Sequence, residues 1–320
     1  MAFDYEHINL VPKLCVVGSR GECSTSTTLG KYTFKMPVVP ANMECVINEE
    51  LAEKLARNNY FYVLHRFLTD EQIIEFCKKM KEKSLFTSIS VGVNEPSYKL
   101  LTMLHTLNFI PDYITIDIAH GHAIKMQAMI KFIYDLFGSN RPFIIAGNVS
   151  TPDAVKDLEC WGADATKAGV GPGMACTTFP ATGFGSRGIQ ASMIAECAKV
   201  ATKPLIADGG IRHPGDISKS IALGASMCMI GGMFSALTDS PGSIVRGVDN
   251  VLYKEFWGSA SEHQSGKKDR IEGTKKLVPL KERSILEELK YIEECLQSSI
   301  SYGGGKVLND LRSVSYIVHQ

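Results

Sequence analysis

Eight short apolar runs separated by segments of helical period constrain the fold of this chain more than any other feature. Most runs are continuously apolar rather than alternating, as is typical of parallel strands that are covered on both faces. We predict strands at residues 38–43, 60–65, 85–91, 113–119, 142–148, 163–170, 204–210 and 226–232. Eight strands alternating with helices predict an α/β fold of the (β/α)8 TIM-barrel type, and a doubly wound open sheet is the alternative.

Residues suited to start helices lie between the predicted strands. Asn48 is suited to cap one helix, and Thr69 with Gln72 makes a capping box at the start of another. Pro96 and Pro152 fit the first turns of two further helices, where the missing N–H of proline is not needed. The helix starts therefore agree with the alternation of strands and helices.

The whole chain, residues 1–320, is predicted to be one barrel domain, because no linker, repeat or low-complexity block interrupts it. A length of 320 residues suits one large barrel. After residue 240 the alternation stops and a C-terminal extension begins. It is predicted to contain a mobile active-site flap at about 259–276, an amphipathic helix at 284–297, a turn at 301–305 and a last irregular segment or short strand.

Charge and cysteine content restrict the partners and the compartment. The 34 basic and 34 acidic residues cancel, and no basic run indicates binding to nucleic acid. No run of eighteen apolar residues predicts a membrane span, and the first residues lack the apolar core of a signal peptide. Nine scattered cysteines without a Cys-x-x-Cys pair indicate reduced thiols. We therefore expect a cytoplasmic protein that binds small molecules.

Polar and glycine-rich segments fall at the carboxyl ends of the predicted strands, where barrels of this type carry their chemistry. They are Asn42, His65, Arg66, Asp117, Asn148, the segment 167–176, Asp208, Gly209, Gly210, Gly231 and Gly232. We expect all of them to converge on one mouth of the barrel.

Residues 167–185 read KAGVGPGMACTTFPATGFG and hold a single cysteine. The five glycines disfavour a helix or a strand and predict a loop whose backbone groups can turn toward a small ion or ligand. Cys176, which is followed directly by two threonines, is a candidate nucleophile on this loop. The alternative is a cysteine that packs as a small hydrophobe.

Glycine pairs follow the last two predicted strands, at Gly209–Gly210 after Asp208 and at Gly231–Gly232. Backbone amides in this place form the phosphate site of many barrels. Glycine at a strand end can also serve only to turn the chain. A pair after each of two adjacent strands favours a ligand that carries a phosphate group.

The segments GVGPGMACTT, IADGGI and MIGGMF, together with Gly258–Ser259 and Glu272–Gly273, resemble the IMP dehydrogenase/GMP reductase family. The resemblance covers nearly the whole chain, from residues 39–43 to residues 298–302. A GxGPGxxCTT loop followed by Asp-Gly-Gly and Gly-Gly is highly specific, whereas a single GxG would not be.

Two features favour the reductase branch of that family. Dehydrogenases usually carry a regulatory insertion between early barrel elements, and no gap between the predicted strands has room for one. Their flap is also longer and holds an Arg-Tyr pair that activates water, whereas residues 258–272 are short and lack such a pair. The resemblance implies that GMP and NADPH give IMP, ammonia and NADP, in purine salvage, and that the enzyme is a homotetramer.

The resemblance also implies roles for individual residues. Cys176 matches the nucleophile that attacks purine C2 and forms a covalent thioimidate, and Thr178 with Glu272 matches the pair that moves protons to the departing amine. A carboxyl group held against a hydroxyl can relay such a proton. Gly171 and Gly173 match backbone-carbonyl ligands of a monovalent cation, expected to be K+.

Further matches concern the two nucleotides. The positions that match the GMP site are Asp208 at the ribose, Gly209, Gly210, Gly231 and Gly232 at the phosphate, and Gly258, Ser259, Arg270 and Gly273 near the purine. The positions that match the NADPH site are Ser19, Arg20, Arg66, Asp117 and Ala119, with Ser299 and Tyr302 reaching a neighbouring subunit's cofactor. Arg20 and Arg66 suit the 2′-phosphate of NADPH.

Four other functions are alternatives to this one. Lys167 at a strand end would suit a Schiff-base aldolase, although a glycine loop with a thiol has no role there. His120 and His122 would suit a metal hydrolase, although no third ligand is evident. An IMP dehydrogenase running in the oxidative direction and a purine-nucleotide-binding barrel without catalysis are the remaining alternatives.

Overall fold

The computed structural model describes residues 2–266, 269 and 271–319. In chain order the strands are β1 (Ile8–Leu10), β2 (Thr27–Leu29), β3 (Tyr32–Phe34), β4 (Val38–Pro40), β5 (Ser88–Val91), β6 (Tyr113–Asp117), β7 (Phe143–Val149), β8 (Ala165–Ala168), β9 (Leu205–Asp208), β10 (Met227–Ile230), β11 (Ile244–Arg246), β12 (Leu252–Trp257), β13 (Lys275–Pro279) and β14 (Tyr316–Val318).

The α-helices lie between and after these strands. They are α1 (Glu49–Arg57), α2 (Asp70–Glu82), α3 (Glu95–Thr106), α4 (Ile124–Phe137), α5 (Pro152–Trp161), α6 (Thr178–Thr182), α7 (Gln190–Ala198), α8 (Pro214–Ala222), α9 (Gly232–Ser235), α10 (Glu262–Ser265) and α11 (Ile285–Tyr302). Short 3-10 helices occur at Tyr5–His7, Arg20–Glu22, Gly138–Asn140 and Leu308–Ser313.

Seven strands form the central parallel sheet, in the order β4-β10-β9-β8-β7-β6-β5. From β5 to β10 each strand pairs with its successor, and β10 then pairs with β4, so the last strand lies beside the first. Every crossover between successive strands contains at least one helix. This arrangement is a (β/α)8 barrel, which confirms the predicted fold and excludes the doubly wound sheet.

The predicted second strand, residues 60–65, is less regular than expected. Only Leu64 pairs with β5: its N–H donates to the Ser88 carbonyl at 3.1 Å, and its carbonyl accepts from the Ser90 N–H at 3.0 Å. All six residues of the segment are buried. The apolar run therefore predicts burial correctly, but Phe61 is fixed by packing on neighbouring aromatic rings rather than by a strand ladder.

The predicted helix starts are confirmed. Asn48 accepts a hydrogen bond from the Leu51 N–H at 2.9 Å at the start of α1. At the start of α2, the Thr69 hydroxyl accepts from the Gln72 N–H at 3.3 Å, and the Gln72 side chain accepts from the Thr69 N–H at 3.0 Å. Proline lies in the first turn of both α3 and α5.

The flap, residues 259–276, contains more regular structure than its polar composition predicts. Its described part includes the helix α10 and the first residues of β13, which pairs antiparallel with β12 in a three-stranded sheet with β11. Four of the five residues of β13 are exposed, so the strand has little apolar signal in the sequence. The prediction of a loop throughout this segment is wrong at these two places.

The C-terminal helix is longer than predicted, because α11 continues through Tyr302 and the expected turn begins only at Gly303. Ile300 and Ser301 are buried on the last turn of α11, so packing extends the helix past a serine-rich segment of modest helix propensity. The predicted final strand is confirmed as β14, which pairs antiparallel with β1.

The barrel strands are almost entirely buried, and β5, β8 and β10 have no exposed residue. Apolar side chains fill most of these positions, but β8 contains the fully buried Lys167. A charged side chain in a barrel strand needs partners, and those partners lie at the functional site. Among the helices that the structure describes, none has the length and apolar character needed to cross a bilayer.

Candidate active site

A cavity of about 820 Å³ opens at the carboxyl ends of the parallel strands. Residues at or just after the ends of β4, β6, β7, β8, β9 and β10 line it, together with residues of the flap. A cavity of this size is within the range of sites for small molecules and cofactors. The strand-end segments singled out in the sequence thus converge on one space, with the exception of His65, which does not line it.

The candidate nucleophile lies in the loop between β8 and α6. The Sγ of Cys176 is 3.2 Å from the Thr178 Oγ1, and the Thr178 hydroxyl donates to the Glu272 Oε2 at 2.5 Å. Because the Thr178 proton is committed to the carboxylate, the Thr178 oxygen can accept from the thiol, and the Glu272 carbonyl at 3.5 Å is a second acceptor. Thiol, hydroxyl and carboxylate thus form a chain in which protons can move from sulfur toward the flap.

Backbone pairing holds the cysteine loop against the flap. The Thr177 N–H donates to the Glu272 carbonyl at 2.9 Å, and the Thr274 N–H donates to the Ala175 carbonyl at 2.8 Å. Cys176 and Gly273 face each other as an antiparallel bridge between these two bonds. The carboxylate of the flap therefore reaches the hydroxyl because two short backbone segments are in register.

A buried lysine connects the ends of four strands. Lys167, 2 % exposed, donates to Asp117 Oδ1 at 2.9 Å, to Asp208 Oδ2 at 2.6 Å and to Asn148 Oδ1. Asn42 donates to Asp117 Oδ2 at 3.0 Å, and Asn148 donates to Asp208 Oδ2 at 2.8 Å. We call Asn42, Asp117, Asn148, Lys167 and Asp208 the strand-end cluster.

Charges within the strand-end cluster fix the protonation of its members. Burial of Lys167 opposes its charged form, but the carboxylates of Asp117 and Asp208 outweigh burial and raise the pKa of the lysine. Burial of Asp117 opposes ionisation, but the Lys167 ammonium outweighs it and lowers the pKa of this carboxyl. A lysine held as an ammonium between carboxylates is no nucleophile, so the Schiff-base aldolase is wrong.

Three glycine positions are required by close approach or by backbone conformation. At Gly169 φ is +149°, and a Cβ there would lie 2.0 Å from the backbone oxygen of Asp208. Gly209 and Gly210 have φ of +83° and +78°, in the left-handed region that favours glycine. The turn after β9 and the loop after β8 thus pack together only because side chains are absent.

The chain matches the family described as IMP dehydrogenase / GMP reductase domain over residues 2–320. The chain belongs to the IMP dehydrogenase/GMP reductase family. The resemblance seen in the sequence is thereby confirmed, and members of this family are oxidoreductases.

Similar proteins within the family match over their whole length. A GMP reductase of Mesoplasma florum is 59 % identical over 317 residues, which cover 99 % of this chain and 98 % of that protein. A GMP reductase of Mycoplasma mycoides subsp. mycoides is 55 % identical over 99 % of this chain and 97 % of its own. A GMP reductase of Oceanobacillus iheyensis is 54 % identical over 99 % of this chain and 95 % of its own.

Most residues that match sites of the IMP dehydrogenase/GMP reductase family surround the cavity. These are Cys176, Thr178, Glu272, Asp208, Gly209, Gly210, Gly231, Gly232, Gly258, Ser259, Arg66, Asp117, Ala119, Gly171 and Gly173. Gly273 lies beside them, paired with Cys176. Arg270, predicted near the purine, lies outside the described residues.

Four residues predicted to bind the cofactor do not line the cavity: Ser19, Arg20, Ser299 and Tyr302. Arg20 donates to the Tyr302 hydroxyl at 2.9 Å, and its guanidinium lies 5.1 Å from the centroid of that ring. Arg20 and Tyr302 are exposed. Within one chain, the predicted cofactor residues therefore divide into a cavity group and a surface group.

The two glycines that match a cation site in the family differ in how their carbonyls are used. Gly173 accepts the Cys176 N–H at 3.1 Å, whereas the Gly171 carbonyl accepts no hydrogen bond from the described residues. An unpaired backbone carbonyl is a suitable ligand for a hard cation. The loop therefore fits a cation at Gly171 without rearrangement of its hydrogen bonds.

Asn42, Asn148 and Lys167 are predicted at strand ends, but the resemblance implies no nucleotide-binding role for them. A signal was present, since a lysine inside a continuously buried strand needs buried counter-charges. Arg187 also lines the cavity, and its position in an exposed loop gave no signal.

The histidine pair considered for a metal hydrolase is used differently. His122 is bonded to Asp157 at 2.7 Å and packs on Trp161, with 5.7 Å between ring centroids. Within the described part of the chain, no group of three or more His, Cys, Asp or Glu side chains is arranged to hold a metal ion. The structure gives that alternative no support.

Proposed function

We propose that this protein catalyses the NADPH-dependent reductive deamination of GMP to IMP and ammonia. The observation that carries the proposal is the chain from the Cys176 thiol through the Thr178 hydroxyl to the Glu272 carboxylate at the cavity. Nucleophile, hydroxyl and acid are arranged in the order that the replacement of an amine requires. The name GMP reductase of several full-length relatives supports the choice of substrate.

In the first half-reaction, the Cys176 sulfur bonds to C2 of the purine and the bond from C2 to the exocyclic amine breaks. An aromatic amine leaves poorly unless it is protonated, and Glu272 supplies the proton through Thr178. This proton is the one that the thiol loses, so the amino group of C2 gains one proton and leaves as ammonia. The product of this step is a thioimidate between Cys176 and the nucleotide.

In the second half-reaction, C2 is reduced and the C2–S bond breaks, which releases IMP and returns the Cys176 thiolate. NADPH, when bound, supplies the hydride for this reduction. The chain itself must hold the covalent nucleotide in place and keep water from the reactive C2, since hydrolysis would compete with reduction. The pairing of flap and cysteine loop across residues 175–177 and 272–274 supports that role.

The nucleotide is proposed to lie across the ends of β9 and β10. Asp208 accepts the ribose diol, and the backbone amides at Gly209, Gly210, Gly231 and Gly232 receive the phosphate. The purine then faces the flap residues Gly258, Ser259, Arg270 and Gly273. The left-handed turn at Gly209–Gly210 supports the phosphate assignment, because a side chain there would meet Pro172 or Gln190.

For NADPH we propose Arg66, Asp117 and Ala119 from the cavity group. Among the described residues no carboxylate lies within salt-bridge distance of Arg66, so its guanidinium is available to a 2′-phosphate. The surface group, Ser19, Arg20, Ser299 and Tyr302, cannot join that site in one chain. We therefore propose a homotetramer in which these residues complete a neighbouring subunit's cofactor site.

Three further assignments complete the proposal. K+ binds at the carbonyls of Gly171 and Gly173 and orders the cysteine loop, residues 1–320 act as one domain, and the enzyme works in the cytoplasm. All nine cysteines are free, which agrees with a reducing compartment. No nucleic acid or membrane takes part.

The test is an assay of the purified protein with GMP, NADPH and K+, in which loss of reduced-nicotinamide absorbance and release of ammonia are followed together. We expect one ammonia for each NADPH consumed, and no reaction with IMP and NAD. Oxidation of IMP would instead identify a dehydrogenase. Tight GMP binding without either reaction would identify a binding protein.

A further inference from the structure

All three hydrogen-bond donors of the Lys167 ammonium are used, and each goes to a different strand end. Its acceptors are Asp117 at the end of β6, Asn148 in β7 and Asp208 at the end of β9. An ammonium has three N–H donors, so the set is complete. If any of the three acceptors turned away, one N–H of the buried ammonium would lose its partner, which is costly for a charged donor.

The two carboxylates bonded to Lys167 face different parts of the cavity. Asp208 is followed directly by Gly209 and Gly210, and its Oδ1 accepts no hydrogen bond from the described residues. Asp117 lies near Arg66, whose charge helps to keep it ionised. One buried ammonium therefore stands between the part of the cavity with the glycine turn and the part with the free guanidinium.

We propose that Lys167 is a positioning residue shared by the two nucleotide subsites. It holds Asp208 toward the ribose of the purine nucleotide and Asp117 toward the nicotinamide cofactor, so both affinities depend on one side chain. This inference rests on the proposed function, which assigns the two carboxylates to the two ligands. It adds that these two ligands share one support, a side chain whose three donors are all used within the strand-end cluster.

The charge balance of the strand-end cluster shows why loss of the lysine affects both sides. With Lys167 present, one positive and two negative charges are within direct contact. Without it, two carboxylates remain with only the amides of Asn42 and Asn148 as cluster donors. Like charges in a partly buried site repel and favour protonation, so each carboxylate loses both orientation and charge.

The experiment compares Lys167→Met with the wild-type full chain by calorimetric titration of GMP and, separately, of NADP+. We expect both dissociation constants to rise by about tenfold or more, since each carboxylate loses a charge-assisted hydrogen bond that fixes it. Lys167→Arg keeps the charge and is expected to recover part of both affinities. Binding is measured without turnover, so wild type that fails to bind GMP would contradict the proposed function separately.

The matched control is Lys254→Met, because Lys254 has the same exposed fraction as Lys167 but contacts neither member of the carboxylate pair. It is 2 % exposed, donates to the Ser240 carbonyl at 2.7 Å and does not line the site. We expect this variant to bind both ligands within about twofold of wild type, whatever its loss of stability.

Three outcomes would overturn the inference. One is weaker binding of only one of the two ligands by Lys167→Met, which would assign the lysine to a single subsite. Another is an equal loss of affinity for both ligands in Lys254→Met, which would show a general effect of losing a buried lysine. If Lys167→Met does not fold, the Lys167→Arg variant decides: affinities for GMP and NADP+ must fall together, and a fall in only one contradicts a shared role.

Discussion

The strand-end cluster and the chain of Cys176, Thr178 and Glu272 line the same cavity but are held in different ways. The cluster is joined by side chains, with a buried ammonium between two carboxylates that are 17 % and 19 % exposed. The catalytic chain is joined across two segments of backbone, one in the barrel loop and one in the flap. The first depends on the barrel alone, and the second exists only while the flap is in place.

This difference separates affinity from turnover. Groups proposed to hold the ribose and the cofactor belong to strands that are fixed by the barrel. The group proposed to donate the proton, Glu272, is brought to Thr178 by the flap. Changes in the catalytic chain should therefore alter rate with little effect on binding, and changes in the cluster should alter binding first.

The largest effect should come from Cys176→Ala. We expect turnover to fall by at least about 10³-fold, because among the described residues no other thiol lines the cavity to form the covalent bond to C2. GMP affinity should change little, since the ribose and phosphate contacts lie elsewhere. Steady-state rates together with calorimetric GMP titration measure both, and parallel loss of binding would break the proposed separation.

Glu272→Gln should slow the release of ammonia by about 10²- to 10⁴-fold, since the amide keeps a hydrogen bond to Thr178 but cannot deliver a proton. Reduction of C2 needs no proton on nitrogen and should be slowed less. Rapid-mixing measurements that resolve the two half-reactions test this, and equal slowing of both would contradict the assignment. Glu262→Gln, at an exposed position in α10 of the same flap, is the control and should keep wild-type rates.

Gly169→Ala tests how closely the loop after β8 must pack against the end of β9. The new Cβ would lie 2.0 Å from the backbone oxygen of Asp208 at a φ of +149°, so we expect a loss of about 2–4 kcal/mol in unfolding free energy. Gly183→Ala is the matched control, with a left-handed backbone (φ +78°, ψ −3°) but no atom within 4 Å of the new Cβ, and should cost about 1 kcal/mol. Urea denaturation measures both, and equal losses would show that backbone conformation alone accounts for the effect.

The smallest effect concerns His65, a buried residue at the end of the segment 60–65. Lys167 is bonded to two carboxylates, whereas His65 has no such partner among the described residues. Burial lowers the pKa of His65, although Glu44 and Glu49 oppose the shift, and its Nδ1 accepts the Phe67 N–H at 3.2 Å. The unfolded chain binds this proton more readily, so His65 should reduce stability as pH falls through its ordinary value of 6.5. The loss should level off below the lowered pKa of the folded state.

Thermal unfolding of wild type and His65→Gln between pH 8 and pH 5 measures this contribution. As the pH falls, wild type should lose stability relative to His65→Gln. This loss should be smaller than the one expected for Gly169→Ala. A constant difference would show that His65 does not titrate in this range. Ionisation of Lys167 and Asp117 should not change there, since the lysine pKa is raised and the carboxyl pKa is lowered.

The barrel was predictable from the sequence because strand burial leaves an apolar run and helix starts leave caps. Asn48 and the Thr69–Gln72 box mark helices that begin where expected. The irregular segment at 60–65 was not predictable, since a buried strand and a buried coil have the same apolar composition. The length of α11 was also hidden, because its last turn is stabilised by packing of Ile300 rather than by local propensity.

At the site, residue types were predictable and their connections were not. Cys176, the glycine pairs and Asp208 stand out by composition and position at strand ends. The pairing of residues 175–177 with 272–274 uses backbone groups, which every sequence has, so no residue type indicates it. Arg20 and Tyr302 contact each other away from the cavity, where the N-terminal segment meets the last turn of α11. A motif match carries no information about such a contact between distant parts of the chain.

The pairing of β4 with β10 has a consequence for how the protein is made. Val38 faces Cys228 across this pair, so about 190 residues must be synthesised after the first partner before the second is complete. At about 5–20 residues per second, the edge of β4 waits roughly 10–40 s on the ribosome before its neighbour emerges. During that interval the growing sheet has an unpaired apolar edge, and such an edge can pair with strands of other chains.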